Sequence, residues 1–409
     1  MSSNYCYQVL CFVPLDANAP KFFGFSEFLS ALALIVLAWT TTDVRYRFRV
    51  RAAPLPLQGI TFAVVAAVGV LTLLTDWWRA EEWLVPRGHL LTPAAWQAIL
   101  GGLFLLTFLT WALFAFIRPP VYGKRNSERY AQTLYRVILK GDPAELAVIA
   151  DEFAHSAKPL IHYATDRGQM ENDRAEKSKK PSDGPSKVAG YADSILLLIA
   201  DKRFCRAIVG SSPGTALAVF HEIGETKKYG IQVNVFAKNI LNEALADRDS
   251  FLFRETDGYE SGLLGYHKPL SKTMFSNHKM VEGIWMLLEP DTRETGKWDA
   301  AQWKAYCRIV LMTFQDYVEK GGWEHSFVLS RAKDYISHAI SDLYHLDGIA
   351  NRGWDDDAQA RLVLSSISSE TPSRFLTRKG FLNIYRCGFG INVTYGTAMI
   401  AWLACSSRS

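Results

Sequence analysis

Apolar residues are concentrated in three long runs near the N-terminus and then give way, beyond residue 118, to a periodic mixture of apolar and polar positions. Ala52–Thr75 holds 24 residues without a charge and Leu90–Ile117 holds 28. A helix rising about 1.5 Å per residue needs only ~20 residues to cross a ~30 Å hydrocarbon core. Phe22–Thr42 is a third run, with Glu27 its only charge. Hydrocarbon offers the backbone no hydrogen-bond partners, so such runs must be helical to cross it. The pattern predicts spans at about 22–42, 57–75 and 93–117, the last opening on Thr92 as N-cap and Pro93 in the first turn. A cleaved signal peptide is the alternative for the first run. Against it, Lys21 is the one basic residue before the run, and no small-residue cleavage site follows Trp39.

Beyond the runs, three- and four-residue spacing predicts helices. Asn126–Lys140 ends at Gly141, and Asp142-Pro143-Ala144-Glu145 restarts a helix with a cap, a proline and a capping-box glutamate, giving a juxtamembrane hairpin over 118–165. Residues 166–187 carry six basic and five acidic side chains with two prolines and almost nothing apolar, the composition of a flexible linker. The remainder, 188–409, reads as a helical domain. Its helices are expected near Tyr191–Cys205, Pro213–Lys228, Val233–Ala246, His278–Leu288, Ala300–Glu319, His325–Leu346 and Ala358–Ser368. Short strands are expected only at Arg206–Val209 and Gly230–Val235. Cys387–Ser407 is 21 residues without a charge, long enough to cross. Its glycines and polar residues favour a buried core element instead. The fold class is thus mainly α: a three-helix transmembrane region behind a tail at 1–21, then a mainly helical cytoplasmic domain.

Composition narrows the function. Apolar residues make up 49% of the chain and charged ones 21%, which excludes a disordered protein, and a net charge of +4 is too balanced to mark a nucleic-acid binder. Six cysteines are too few for a disulfide framework; Cys6 and Cys11 are near enough to bridge on the outer side, and Cys205, Cys307, Cys387 and Cys405 are expected reduced. Basic residues set orientation. Arg45, Arg47, Arg49 and Arg51 follow the first run and meet headgroups, and Arg118, Lys124, Arg125 and Arg129 follow the third, so both stretches should face the cytoplasm. The loop between the second and third runs carries Trp77, Trp78 and Trp83, suited to the opposite headgroup belt. This puts the N-terminus outside the inner membrane and the C-terminal domain inside. The runs lack a central ionisable residue, which argues against a transporter. Gly59, Ala63 and Ala67 form a small-residue stripe that either packs the spans of one chain or joins two copies. Gln97, Thr107 and Thr110 are the polar residues available to line an oligomeric pore.

Catalytic motifs are few. Gly210-Ser211-Ser212-Pro213-Gly214 fits G-x-S-x-G, but the elbow takes an oxyanion N–H from the residue after the serine, and Pro213 has none. Ser212 as a helix N-cap explains the same string. His221-Glu222-Ile223-Gly224-Glu225 begins like the zinc helix H-E-x-x-H, with Glu225 in place of the second histidine and no third ligand in view. Asp151, His155, His162 and Asp166 repeat the spacing, yet fit a surface helix with a salt-bridged histidine. Asp342, His345, Asp347 and the run Asp355–Asp357 fit acid/base or cation chemistry, or solvated helix ends. Lys268, Lys272 and His278, interleaved with Tyr266 and Phe275, fit a phosphate-binding strip or a covering loop. No metal site and no cofactor is implied, and ATP and dinucleotide fingerprints are missing from the sequence.

With spans at Phe22–Thr42, Leu57–Thr75 and Pro93–Ile117 ahead of a cytoplasmic domain without enzymatic motifs, the chain resembles in layout the membrane effectors of bacterial anti-phage systems, such as those that accompany some retrons. The resemblance implies a toxin held silent by a cytoplasmic protein partner, a reverse transcriptase with its nucleic acid, and released on infection to damage the inner membrane. Its partners would then be the bilayer, that protein and other copies of itself. Two alternatives stay open: a membrane-tethered hydrolase or metal-dependent enzyme using Ser212 or the His221, Glu222 and Glu225 group, and a non-enzymatic receptor or scaffold.

Overall fold

The computed structural model describes residues 5–7, 10–14, 21–41, 43–86, 92–168, 186–257, 268–321 and 325–341. Among these the chain is mainly α-helical, and it divides into two compact units, Met1–Leu134 and Tyr135–Ser409. The division falls inside a helix rather than at the end of the apolar region.

The first unit contains an antiparallel sheet of β1 (Tyr5–Tyr7), β2 (Leu10–Pro14) and β3 (Leu84–Pro86), in the order β1-β2-β3. Cys6 stands opposite Cys11 and Val13 opposite Val85. The tail expected over 1–21 therefore supplies two strands, and the loop before the third apolar run supplies another. Among the described residues the unit also holds α1 (Phe25–Thr41), α2 (Val44–Ala52), α3 (Leu57–Ala80), α4 (Pro93–Ala112), which continues into a π-helical turn at Leu113–Ile117, and the start of a fifth helix. Thr92 caps α4 by accepting from the Ala95 N–H at 3.2 Å.

Two helices, Leu57–Ala80 and Ala94–Ile117, are long and apolar enough to cross a membrane. The third expected span is shorter. α1 has 17 residues, which rise about 26 Å against a ~30 Å core. Its start is fixed by carboxylates: Glu27 accepts from the Gly24 N–H and Asp76 from the Phe25 N–H, both at 2.9 Å. Phe28, Ile35, Val68, Leu100 and Phe104 form the seam between the three apolar helices. Gly69 permits the close approach, because a Cβ there would lie 2.7 Å from the Phe28 ring. Outside the seam the helices stay apolar: Leu34, Phe62, Leu106 and Ile117 are 69, 69, 64 and 74% exposed.

The second unit takes the end of α5 (Ser127–Lys140), then α6 (Pro143–Phe153), a single 3-10 turn, α7 (Ala157–Tyr163), α8 (Lys187–Leu198), α9 (Lys202–Ser211), α10 (Pro213–Thr226) and α11 (Asn234–Ala246). It continues through α12 (Phe251–Asp257), α13 (Pro269–Phe275), α14 (His278–Gly283), α15 (Thr292–Thr295), α16 (Ala300–Glu319) and α17 (Phe327–Ser341). Its core is aromatic. Phe153, Phe204, Phe220, Phe236, Phe275 and Tyr306 are each less than 2% exposed. Phe153 meets Phe204 edge to face, and Phe220 stacks on Phe236 at 5.9 Å.

Several expected elements change. Arg206–Val209 is helical, because Phe204, Cys205, Ile208 and Val209 bury one helical face. Gly230–Val235 holds turns and the start of α11. The helix expected over Tyr191–Cys205 breaks where Asp201 accepts from the Arg203 and Phe204 N–H groups at 3.0 and 3.1 Å, capping α9. The one expected over His278–Leu288 stops at Gly283, where a side chain would run into Tyr229. Asp142 caps α6, accepting from Glu145 N–H at 2.7 Å. The segments 169–185, 342–409 and Tyr266 lie outside the described residues, and with them Asp342, His345, Asp347, Asp355–Asp357 and Cys387–Ser407.

Candidate functional site

Each candidate residue meets a different environment. Ser212 is only 7% exposed and sits between α9 and α10. A nucleophile elbow projects its serine from the end of a strand, whereas a helix precedes this one. Ser212 does occupy the N-cap position, with Pro213 following, but its hydroxyl makes no capping hydrogen bond to the helix. His221 and Glu225 lie on an exposed face of α10, and Glu222 is 3.9 Å from Lys158. His155 Nδ1 is 3.3 Å from the Glu152 carbonyl, His162 is exposed, and Asp166 accepts from the Gly168 N–H. Among the described residues no group of three or more His, Cys, Asp or Glu is arranged to hold a metal.

The basic strip also dissolves. Lys268 is 4% exposed and Phe275 fully buried, so neither presents a surface to phosphate. Burial pushes the Lys268 ammonium below its ordinary pKa, Arg308 and Lys272 push it further, and Glu255 opposes them. Glu255, 2% exposed, accepts from the Leu270 and Ser271 N–H groups at 3.1 and 2.7 Å and so fixes the start of α13. Cys205 and Cys307 are free and buried. Burial raises both thiols, Cys307 to about 12, which keeps them protonated and unreactive.

One constellation was not visible in the sequence. His278 Nε2 lies 3.2 Å from Ser326 Oγ and 3.4 Å from a Glu282 oxygen, and Ser326 Oγ donates to Glu282 at 2.6 Å. The His278 N–H donates to Asp316, and its ring packs on Tyr317 at 4.6 Å. Serine, histidine and glutamate are together, but in the wrong order for acyl transfer. A nucleophile gives its proton to the histidine, and the acid holds the other ring nitrogen. Here the serine proton goes to the carboxylate, and both groups stand at the same ring nitrogen. Glu282 also accepts from the Phe327 N–H at 3.2 Å, and Ser326 Oγ from the Leu329 N–H at 3.3 Å. The cluster is a helix cap that ties α17 to α14. Burial alone would raise the Glu282 carboxyl, but the hydrogen bonds from His278, Ser326 and Phe327 outweigh it and hold it below the usual range. The one local signal was Ser326 placed just before an apolar helical pattern, since Glu282 arrives from 44 residues away.

The residues of the membrane-length helices sort more clearly. Gly59, Ala63 and Ala67 all face outward, and a Cβ on Gly59 would meet nothing within 4 Å. The stripe therefore does not pack the helices of one chain; Gly69 does. Gln97 is 4% exposed and accepts from the Phe22 N–H at 2.9 Å, while Thr107 and Thr110 donate to the carbonyls of Leu103 and Leu106 in their own helix. Within one chain, these three serve packing and the helix backbone.

The two ends of the unit differ chemically. One carries Trp77, Trp78 and Trp83, with ring centroids 5.3 and 4.8 Å from the last of them, alongside Asp76, Glu81 and Glu82. The other carries the arginines of α2. No family model, curated protein or solved structure matches this chain.

Proposed function

We propose that the chain is a multi-pass inner-membrane effector of the anti-phage type that it resembles in layout. α1, α3 and α4 embed in the bilayer with the N-terminus outside, and the second unit stands in the cytoplasm and binds a protein partner. In the systems of similar layout that partner is a reverse transcriptase with its nucleic acid. Release from the partner lets the outward stripe of Gly59, Ala63 and Ala67 bring copies together, and the associated helices breach the membrane.

The observation that carries the reading is the outer surface of the first unit. Only 22% of the apolar stretch in each of its two long helices is buried, whereas a core helix of a water-soluble protein is mostly covered. Leaving that much apolar surface in water would cost about 25 cal/mol per Å², and lipid removes the cost. α1, though short, belongs to the same surface, with Leu29, Leu34, Val36 and Leu37 exposed. The tryptophan end and the arginine end supply the two unlike interfaces that orient a membrane protein.

The reading is tested in two steps. Full-length chain should sediment with membranes from cells lysed without detergent, and should let a membrane-impermeant dye enter cells after induction. Recovery in the supernatant would remove the membrane assignment. Growth arrest with the dye still excluded would leave a membrane protein that is not a pore-forming or membrane-damaging effector.

A further inference from the structure

The four arginines of α2 alternate along the sequence, and the helix sorts them into two pairs. Arg45 and Arg49 are one turn apart and turned toward the protein. Arg49 is 9% exposed, donates from Nη1 to the Ala115 carbonyl at 3.1 Å and lies over the Tyr46 ring at 5.6 Å. It satisfies a carbonyl at the end of the π-helical turn, where the helix dipole favours a cation. Arg47 and Arg51, also one turn apart, are exposed. Their helix positions are about 6 Å apart along the axis.

A second stretch of chain is tied to the same place. Asn126 Nδ2 donates to the Ala52 and Val121 carbonyls at 2.9 and 3.0 Å, and Arg129 Nη1 donates to the Pro54 carbonyl at 3.0 Å. These bonds hold the segment after α4 against the end of α2, and Arg118, Lys124 and Arg125 within it are exposed. Residues 43–55 and 118–129 together carry eight basic side chains against two acids, Asp43 and Glu128. The cations stop where apolar surface begins: Leu55, Phe116 and Ile117 are 49, 51 and 74% exposed.

We propose that this end of the unit is a binding site for the phosphate headgroup of an anionic phospholipid. Arg47 and Arg51 contact the phosphate, whose planar recognition suits guanidinium forks. Arg118, Lys124 and Arg125 add attraction, and Arg49 is a positioning residue. A phospholipid presents phosphate directly above hydrocarbon, as this surface requires, whereas a nucleic acid has no apolar layer to set against Phe116 and Ile117. The site rests on the membrane reading above.

The test uses full-length chain purified in a neutral detergent and native mass spectrometry with phosphatidylglycerol or phosphatidylcholine of the same acyl chains. Wild type should retain the anionic lipid at least about tenfold better, since each basic residue near the headgroup adds to the attraction. Arg47→Gln with Arg51→Gln should remove most of that preference. Arg118→Gln with Lys124→Gln, outside any helix, should narrow the preference without endangering the fold. Lys158→Gln with Lys187→Gln in the second unit should leave it intact. Equal retention by wild type, or an unchanged preference in the arginine double variant, would overturn the site. So would displacement of phosphatidylglycerol by millimolar inorganic phosphate or by a DNA duplex, which would reassign it to a soluble ligand. A chain that sediments with membranes but lacks the preference loses this site alone; one left in the supernatant loses the membrane reading as well.

Discussion

Large rings and aliphatic chains are hidden in the second unit, where Phe153, Phe204, Phe220 and Phe236 are less than 2% exposed, and displayed in the first, where Phe62 and Leu106 are more than six-tenths exposed. Both units hide polar groups, Gln97, Thr72 and Arg79 in the first and Glu255, Ser271 and Thr313 in the second, so the contrast lies in the apolar side chains left outside. Under the membrane reading proposed above, the contrast follows from the two solvents. In water, burial of apolar area is the main force that gathers a core. Among lipid tails that force is missing between helices, and close approach plus satisfied polar groups must do the gathering. Gly69 beneath Phe28, Asp76 on the start of α1 and Gln97 on Phe22 are contacts of that second kind.

The sharpest way to break the comparison is to make the same cut in both units. Phe220→Ala should cost the second unit about 3–5 kcal/mol in denaturant unfolding, the usual loss for a buried ring. Phe62→Ala should leave the melting of detergent-purified protein nearly unchanged. Equal losses would mean that the first unit has a water-type core after all.

Next in size is a charge on each outer surface. Leu106→Lys should reduce the membrane-sedimenting fraction, since a lysine at mid-helix costs about 2.5–3.5 kcal/mol on insertion. Lysine at Leu197, 52% exposed in the second unit, should shift stability by no more than about 0.5 kcal/mol.

Gly69→Val should destabilise the α1–α3 contact by about 1–3 kcal/mol, an overpacking cost visible as a lower Tm in detergent. Gly59→Val, one helix face away and in open space, should leave Tm unchanged and lower only the oligomer population in crosslinking. A shared Tm drop would show that the stripe packs within the chain.

Smallest is the cap on α17. Glu282→Gln should speed hydrogen exchange at the start of that helix, with a stability loss of at most about 1 kcal/mol, because the side chain is 36% exposed and screened by water. The folded carboxyl sits below its ordinary value of 4.5, so the fold favours its ionised form. Its contribution is complete above about pH 4.5 and fades as pH falls through the lowered folded value. The difference between wild type and variant should therefore be present near neutrality and vanish on strong acidification; a difference that grows in acid would contradict the assigned sign.

Helices were legible wherever one face had a clear period. Asp142 and Thr92 capped the helices that their sequence contexts announce. Four-residue windows misled, as at Arg206–Val209, because so short an apolar run fits a strand or one turn of a helix equally well. The motif candidates failed for a related reason. Ser212 and His221 matched one-dimensional strings, while a site needs groups brought together from separate elements. His278, Glu282 and Ser326 do come together across 48 residues, and the direction of their hydrogen bonds makes them a cap.

By itself the sequence determined the helical class, three apolar runs of which two form helices long enough to cross a bilayer, and the gathering of arginine at one chain position and tryptophan at another, because length, period and charge are properties of neighbours along the chain. Only the tertiary structure decided which side of each helix is covered. Through that it decided that α1 starts late, that Gly69 rather than Gly59 meets a partner helix, and that Arg47 and Arg51 face out while Arg49 is consumed by a carbonyl. Those outcomes depend on contacts between residues far apart in sequence, and no local pattern encodes them.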